Sequence, residues 1–115
     1  MEVALRLENG RTVCERCVLA DTALARIRGL LGRRDLARGE GLLLRPASSI
    51  HMAFMRFAID AVFLDRDGRV LKVAHDLRPW RMAAARRANA VVELPSGEAV
   101  RRGIEIGQRV VGYAA

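Results

Sequence analysis

The segment Ser48-Ser49-Ile50-His51-Met52-Ala53-Phe54-Met55-Arg56-Phe57-Ala58-Ile59-Asp60-Ala61-Val62-Phe63-Leu64-Asp65 decides how this chain folds. It carries all three phenylalanines, two of the four methionines and one of the two histidines. Its second half, Ile59 to Leu64, is rich in strong β formers and predicts a strand. Arg56 and Asp60 are charged groups in an otherwise apolar run. Burying either alone costs several kcal/mol, so each needs a partner or a wet pocket. In one regular strand the two would stand about 13 Å apart at ~3.3 Å per residue, too far to pair directly. Either the segment bends near Arg56 or each group meets a different partner.

Working outward, Asp65-Arg66-Asp67-Gly68 supplies a turn and Arg69 to Asp76 returns as the second strand of a hairpin. Upstream, Gly41 to Leu44 is a short apolar run bounded by Gly and Pro46, which reads as a buried strand. At the start, Val3, Leu5 and Leu7 alternate with polar neighbours. Asn9-Gly10 is a strong hairpin signal, and Thr12 to Leu19 reads as the return strand. Asp21 or Thr22 can cap a helix that runs through Leu31 and stops at Gly32, with Ala23, Leu24, Ile27, Leu30 and Leu31 on its apolar stripe and Arg28 on the flank. After the focal segment, Leu77 to Asn89 contains Pro79 and Trp80, and its Ala83–Ala88 portion is expected to be loop. Ala90 to Leu94 is a strand, Ser96 to Arg102 suits a short helix, and Ile104 to Ile106, Gly107 and Gln108 to Tyr113 close the chain as a last strand. The predicted fold is a single α+β domain spanning residues 1–115. It is mainly antiparallel β, a small barrel-like sheet with one helix of about three turns near 21–32 and one short helix near 97–102.

Composition agrees with a lone domain. The 115 residues are 51% hydrophobic but only 4% aromatic, so the core must be aliphatic. No basic leader precedes an apolar stretch, and no run approaches the ~20 apolar residues of a membrane span, so a cytoplasmic location without membrane contact is expected. The net charge of +7 raises nucleic acid as a partner. Of the 20 basic residues only Lys72 is lysine, and the arginines are spread along the chain without interleaved aromatics. That pattern argues for a basic, solvated surface and against specific nucleic-acid binding. Cys14 and Cys17 form a C-x-x-C, but no second pair completes a four-ligand metal site. Within a regular strand they would point to opposite faces, one buried and one exposed. They are expected to be free thiols, with no metal or cofactor.

The segments Arg28-Gly29-Leu30-Leu31-Gly32-Arg33, Glu40-Gly41-Leu42-Leu43-Leu44, Ser49 to Asp60, Asp67-Gly68-Arg69-Val70 and Gly103-Ile104-Glu105-Ile106-Gly107 occur in this order. Together they resemble the domain-of-unknown-function family one-nine-two, over roughly Leu19 to Val111. The resemblance implies a compact β-rich domain of bacteria and archaea with no established activity. Many relatives have Trp-Met-Lys-Asn-Thr where this chain reads Phe54-Met55-Arg56-Phe57-Ala58, so two polar groups of the pattern are replaced by Phe57 and Ala58.

The residues most able to form a site are Arg28, His51, Arg56 and Asp60. Lining one polar cleft, two arginines and a histidine would favour an anionic small molecule through charge-assisted and bidentate hydrogen bonds. A non-enzymatic binding domain is the leading expectation. One alternative is a small hydrolase using His51 as base and Asp60 as its orienter, although no serine or cysteine lies in a nucleophile motif. Another is a protein-interaction module built on Trp80, Met82 and the following arginines.

Overall fold

A computed structural model describes residues 1–22, 25 and 29–112. Its described elements are β1 (Glu2–Leu7), β2 (Thr12–Ala20), β3 (Glu40–Leu44), β4 (Ser49–His51), β5 (Ile59–Leu64), β6 (Val70–Leu77), β7 (Met82–Ala84), β8 (Ala90–Pro95), α1 (Glu98–Arg101) and β9 (Val110–Val111). Seven strands make one sheet in the order β6-β5-β8-β3-β2-β1-β9, and β4 with β7 makes a separate two-stranded piece. All pairings are antiparallel except β2 with β3. A parallel pair needs a crossover, and residues 21–39 supply it. Beyond β9, the N–H of Val70 donates to the Gln108 carbonyl at 2.8 Å and that of Val110 to the Gly68 carbonyl at 2.8 Å. The outermost strands thus meet at one end, and the sheet curls into a half-barrel.

Both expected hairpins are present. Gly10 takes φ 93° in the β1–β2 turn and Gly68 takes φ 85° in the β5–β6 turn, a region open to glycine. The Asp65 carboxylate reinforces the second turn by accepting the N–H groups of Asp67 and Arg69 at 2.8 and 2.9 Å. All of β5 is buried because both faces of the sheet are covered there. Val62 and Leu64 join an inner cluster with Leu5, Leu43, Val92 and Leu94. Ile59, Ala61 and Phe63 join an outer cluster with Leu30, Leu36, Ile50 and Met52. The β4–β7 pair, with Leu30 and Leu36 of the crossover, therefore acts as a second layer over the middle of the sheet.

Four expectations need correction. The three-turn helix near 21–32 is not supported. Ala23, Leu24, Arg26, Ile27 and Arg28 lie outside the described residues, and Gly29 and Gly32 adopt φ 46° and 84°, so a turn replaces the final helical turn. Thr22 Oγ1 does accept the Ala25 N–H at 3.1 Å, as a cap would. Ala83 and Ala84, expected to be loop, belong to strand β7 (Met82–Ala84); pairing with the distant Ile50 overrides the weak β preference of alanine. The last strand is only Val110–Val111, and Tyr113 is outside the described residues. Cys14 and Cys17 are both fully buried, not split between faces. The pairing of β1 with β2 slips between Leu5↔Cys14 and Val3↔Cys17, so an extra residue at exposed Glu15-Arg16 returns both thiols to the inner face. Among the described residues, no helix is long and apolar enough to cross a membrane.

Candidate functional site: an aromatic pair among arginines

Asp60 is the second residue of β5 and is 0% exposed. One carboxylate oxygen accepts the Asp76 N–H at 2.9 Å; the other accepts the N–H groups of Gly97 and Ala99 at 3.0 and 2.8 Å. Gly97 is the N-cap of α1 and offers no side chain to cap it. Asp60 therefore caps the helix from a neighbouring strand, satisfying donors that a helix start leaves unpaired. The same residue also fixes Asp76, whose left-handed backbone (φ 50°) lies at the irregularity of β6 between the Ala74 and Leu77 pairings. Asp60 belongs to the frame.

Of the four residues expected to line one cleft, three are described. Arg28 lies outside the described residues, His51 and Arg56 are exposed, and Asp60 is closed off by its three N–H donors. None of those donors is His51, so the base-and-orienter dyad is not formed. Of the two alternatives for this segment, a bend or separate partners, the chain shows a bend: β4 ends at His51 and β5 begins at Ile59, with a tight excursion between them.

The excursion carries the feature that stands out. Phe54 and Trp80 pack ring to ring, centroids 4.8 Å apart and planes at 59°, yet they are 74% and 67% exposed. Both adopt left-handed backbone, φ 64° and 71°, an uncommon conformation for bulky residues. Buried Met52 holds the arrangement. Its carbonyl accepts the N–H groups of Met55 and Trp80 at 3.2 and 2.8 Å, and its own N–H donates to the Arg81 carbonyl at 2.7 Å. Met82, 72% exposed, extends the apolar patch and pairs across the strands with His51. Arg78 and Arg81 flank Trp80, and Arg56 follows Phe54. Arg78 reaches the Asp76 carboxylate at 3.4 Å. The guanidinium groups of Arg56 and Arg81 have no hydrogen-bond or ion-pair partner among the described residues. Trp80 and Met82 were legible as an interface candidate; Phe54 was not, because its run resembles core sequence.

Three further groups are internal. Glu98, at the start of α1, is 3% exposed and bonded to Arg101 and Arg102. The Arg101 hydrogen bond, then that of Arg102, holds its carboxyl down at about 2 despite burial. Glu93 on β8 is 6% exposed with no such partner, and burial pushes its carboxyl up to about 7. The thiols of Cys14 and Cys17 are free; the hydrogen bond to Cys14 and then burial push the Cys17 thiol up, which keeps it protonated.

Comparison with known proteins adds family without chemistry. A family model, DUF192, described as an uncharacterised ACR, matches residues 5–112. A UPF0127 protein of Pyrococcus furiosus is 32% identical over 110 residues, covering 92% of this chain and 94% of that one. A UPF0127 protein of Thermococcus sibiricus is 32% identical over 106 residues, covering 88% and 68%. Among solved structures, a protein of Sinorhizobium meliloti described as a candidate transcription regulator superposes with TM-score 0.87 at 26% identity, covering 97% and 94%. A protein of unknown function from Novosphingobium aromaticivorans superposes with TM-score 0.83 at 27% identity, covering 96% and 84%.

Proposed function

We propose that this domain, which belongs to the DUF192 family, is a non-enzymatic binding domain that seats an anionic small molecule against the Phe54–Trp80 pair. The carrying observation is the pair itself, two exposed rings in contact on left-handed backbone. Such backbone costs about 1–3 kcal/mol per residue, and the exposed rings gain little from burial in return. A ligand explains what stability does not. The tilted rings offer a face and an edge to a planar or apolar body. The unpaired guanidinium groups of Arg56 and Arg81, with His51 beside Met82, offer charge-assisted hydrogen bonds to an anionic group.

A hydrolase using His51 and Asp60 is the weaker reading, because three backbone donors already occupy the Asp60 carboxylate. A protein-interaction surface is favoured by one observation, the extension of the apolar patch to exposed Met82. Trp80 is the single tryptophan, so its emission reports on the patch directly. Phenyl phosphate should change that emission saturably, and phenol should not. Replacing Arg56 and Arg81 with Gln should weaken the response about tenfold. No response to phenyl phosphate or to a panel of aryl carboxylates overturns the small-molecule reading. Self-association that vanishes in Trp80→Asn would put a protein in its place.

A further inference from the structure

We propose a second anion site, for oxyanions of the phosphate class, in the hollow lined by Arg11, Thr12, Glu15, Arg101 and Arg102. It is built by the start of β2 and the end of α1, uses none of the residues of the aromatic patch, and stands independently of the function proposed for that patch. The hollow measures about 440 Å³, within the range of small-molecule pockets.

Its floor is rigid. The Arg102 side chain is 8% exposed, and each of its nitrogens has a partner: Nε the Glu98 carboxylate at 3.3 Å, Nη1 the Thr12 carbonyl at 3.1 Å, and Nη2 the Glu15 carboxylate at 2.8 Å. Glu98 is held from its other side by Arg101, whose side chain remains 46% exposed. The buried Arg102–Glu98 pair at its centre is costly to desolvate, and well-packed apolar side chains would serve stability as well or better. What it does provide is a fixed array of guanidinium groups.

Arg11 completes the array. Its guanidinium has no hydrogen-bond or ion-pair partner among the described residues. It lies against Gly103 so closely that a Cβ there would collide with Nη1, and Gly103 takes φ 67°. Glycine thus leaves the space in which Arg11 can cross the rim. Arg11, Arg101 and Arg102 face Glu15 and the underlying Glu98, three positive groups against two negative. The surplus charge and the unused donors of Arg11 call for an oxyanion that arginine forks bind bidentately.

The probes are inorganic phosphate and glycerol 3-phosphate, titrated into the ¹⁵N-labelled chain. Amide shifts should gather at Thr12 and Gly103 and leave Trp80 unmoved. Arg11→Gln should weaken binding about tenfold or more, while Arg11→Lys, which keeps charge but not the fork, should retain part of it. Arg11 is exposed and unpaired, so both variants should fold as the parent does. Trp80→Asn should bind as tightly as the parent. Tighter binding of glycerol 3-phosphate than of phosphate would assign the site to phosphomonoesters; the reverse would assign it to the free ion. Unchanged affinity in Arg11→Gln, or no shifts at Thr12 and Gly103 with either probe, overturns the proposal.

Discussion

Asp60 and the Phe54–Trp80 pair invert the usual division between core and surface. The carboxylate is fully buried, whereas Phe54 and Trp80 stand largely in solvent. Each is explained by its partners. Asp60 has three backbone donors that would otherwise lack acceptors, so its charge is tied to the frame. The rings have mainly each other, and their backbone is pinned from below by Met52. Charge inside the protein reads as architecture, and apolar surface outside it reads as an offer to a ligand.

The largest expected effect falls on the buried side of this contrast. Asp60→Ala leaves the N–H groups of Asp76, Gly97 and Ala99 without their acceptor, and should cost about 3–5 kcal/mol in urea unfolding. An Asp60→Ala protein as stable as the parent would break the comparison.

A smaller effect separates two acids near α1. Glu98 has a carboxyl held at about 2 against an ordinary 4.5, so its contribution is complete above about pH 4.5 and is lost as pH falls toward 2. Glu93 has a carboxyl raised to about 7, so the folded state favours its protonated form, and stability is lost as pH rises from about 4.5 through 7. Glu98→Gln should therefore destabilise at pH 7 by about 2–3 kcal/mol, and less at pH 3. Glu93→Gln should stabilise at pH 8 by about 2 kcal/mol and change little at pH 4. Unfolding of both variants across that pH range checks the opposed signs.

Much of the frame is legible in the residues. Asn9-Gly10 and Asp65 to Gly68 are turn chemistry of short range, and Ile59 to Leu64 is a run that only a doubly covered strand explains. What escaped the sequence depends on contacts between distant segments. The parallel β2–β3 pair, the strand at Met82–Ala84 and the slip that turns both thiols inward are set by neighbours, not by local preference. The candidate site was half legible. His51 and Arg56 were singled out and are exposed, and Trp80 with Met82 was read as an interface candidate. In the sequence Asp60 reads as a ligand-binding group, because a lone carboxylate in an apolar run looks the same whether it meets solvent or backbone N–H groups. Phe54 was missed because nothing in Met52-Ala53-Phe54-Met55 announces a left-handed turn.

The smallest stability effect is the most direct test of the claim that the rings are kept for a ligand and not for the fold. Equilibrium urea unfolding of Phe54→Asn/Trp80→Asn, followed by circular dichroism, should give a stability within about 1 kcal/mol of the parent, since asparagine tolerates the left-handed backbone and little buried area is lost. A loss of about 3–5 kcal/mol, as truncating core aromatics produces, would contradict it.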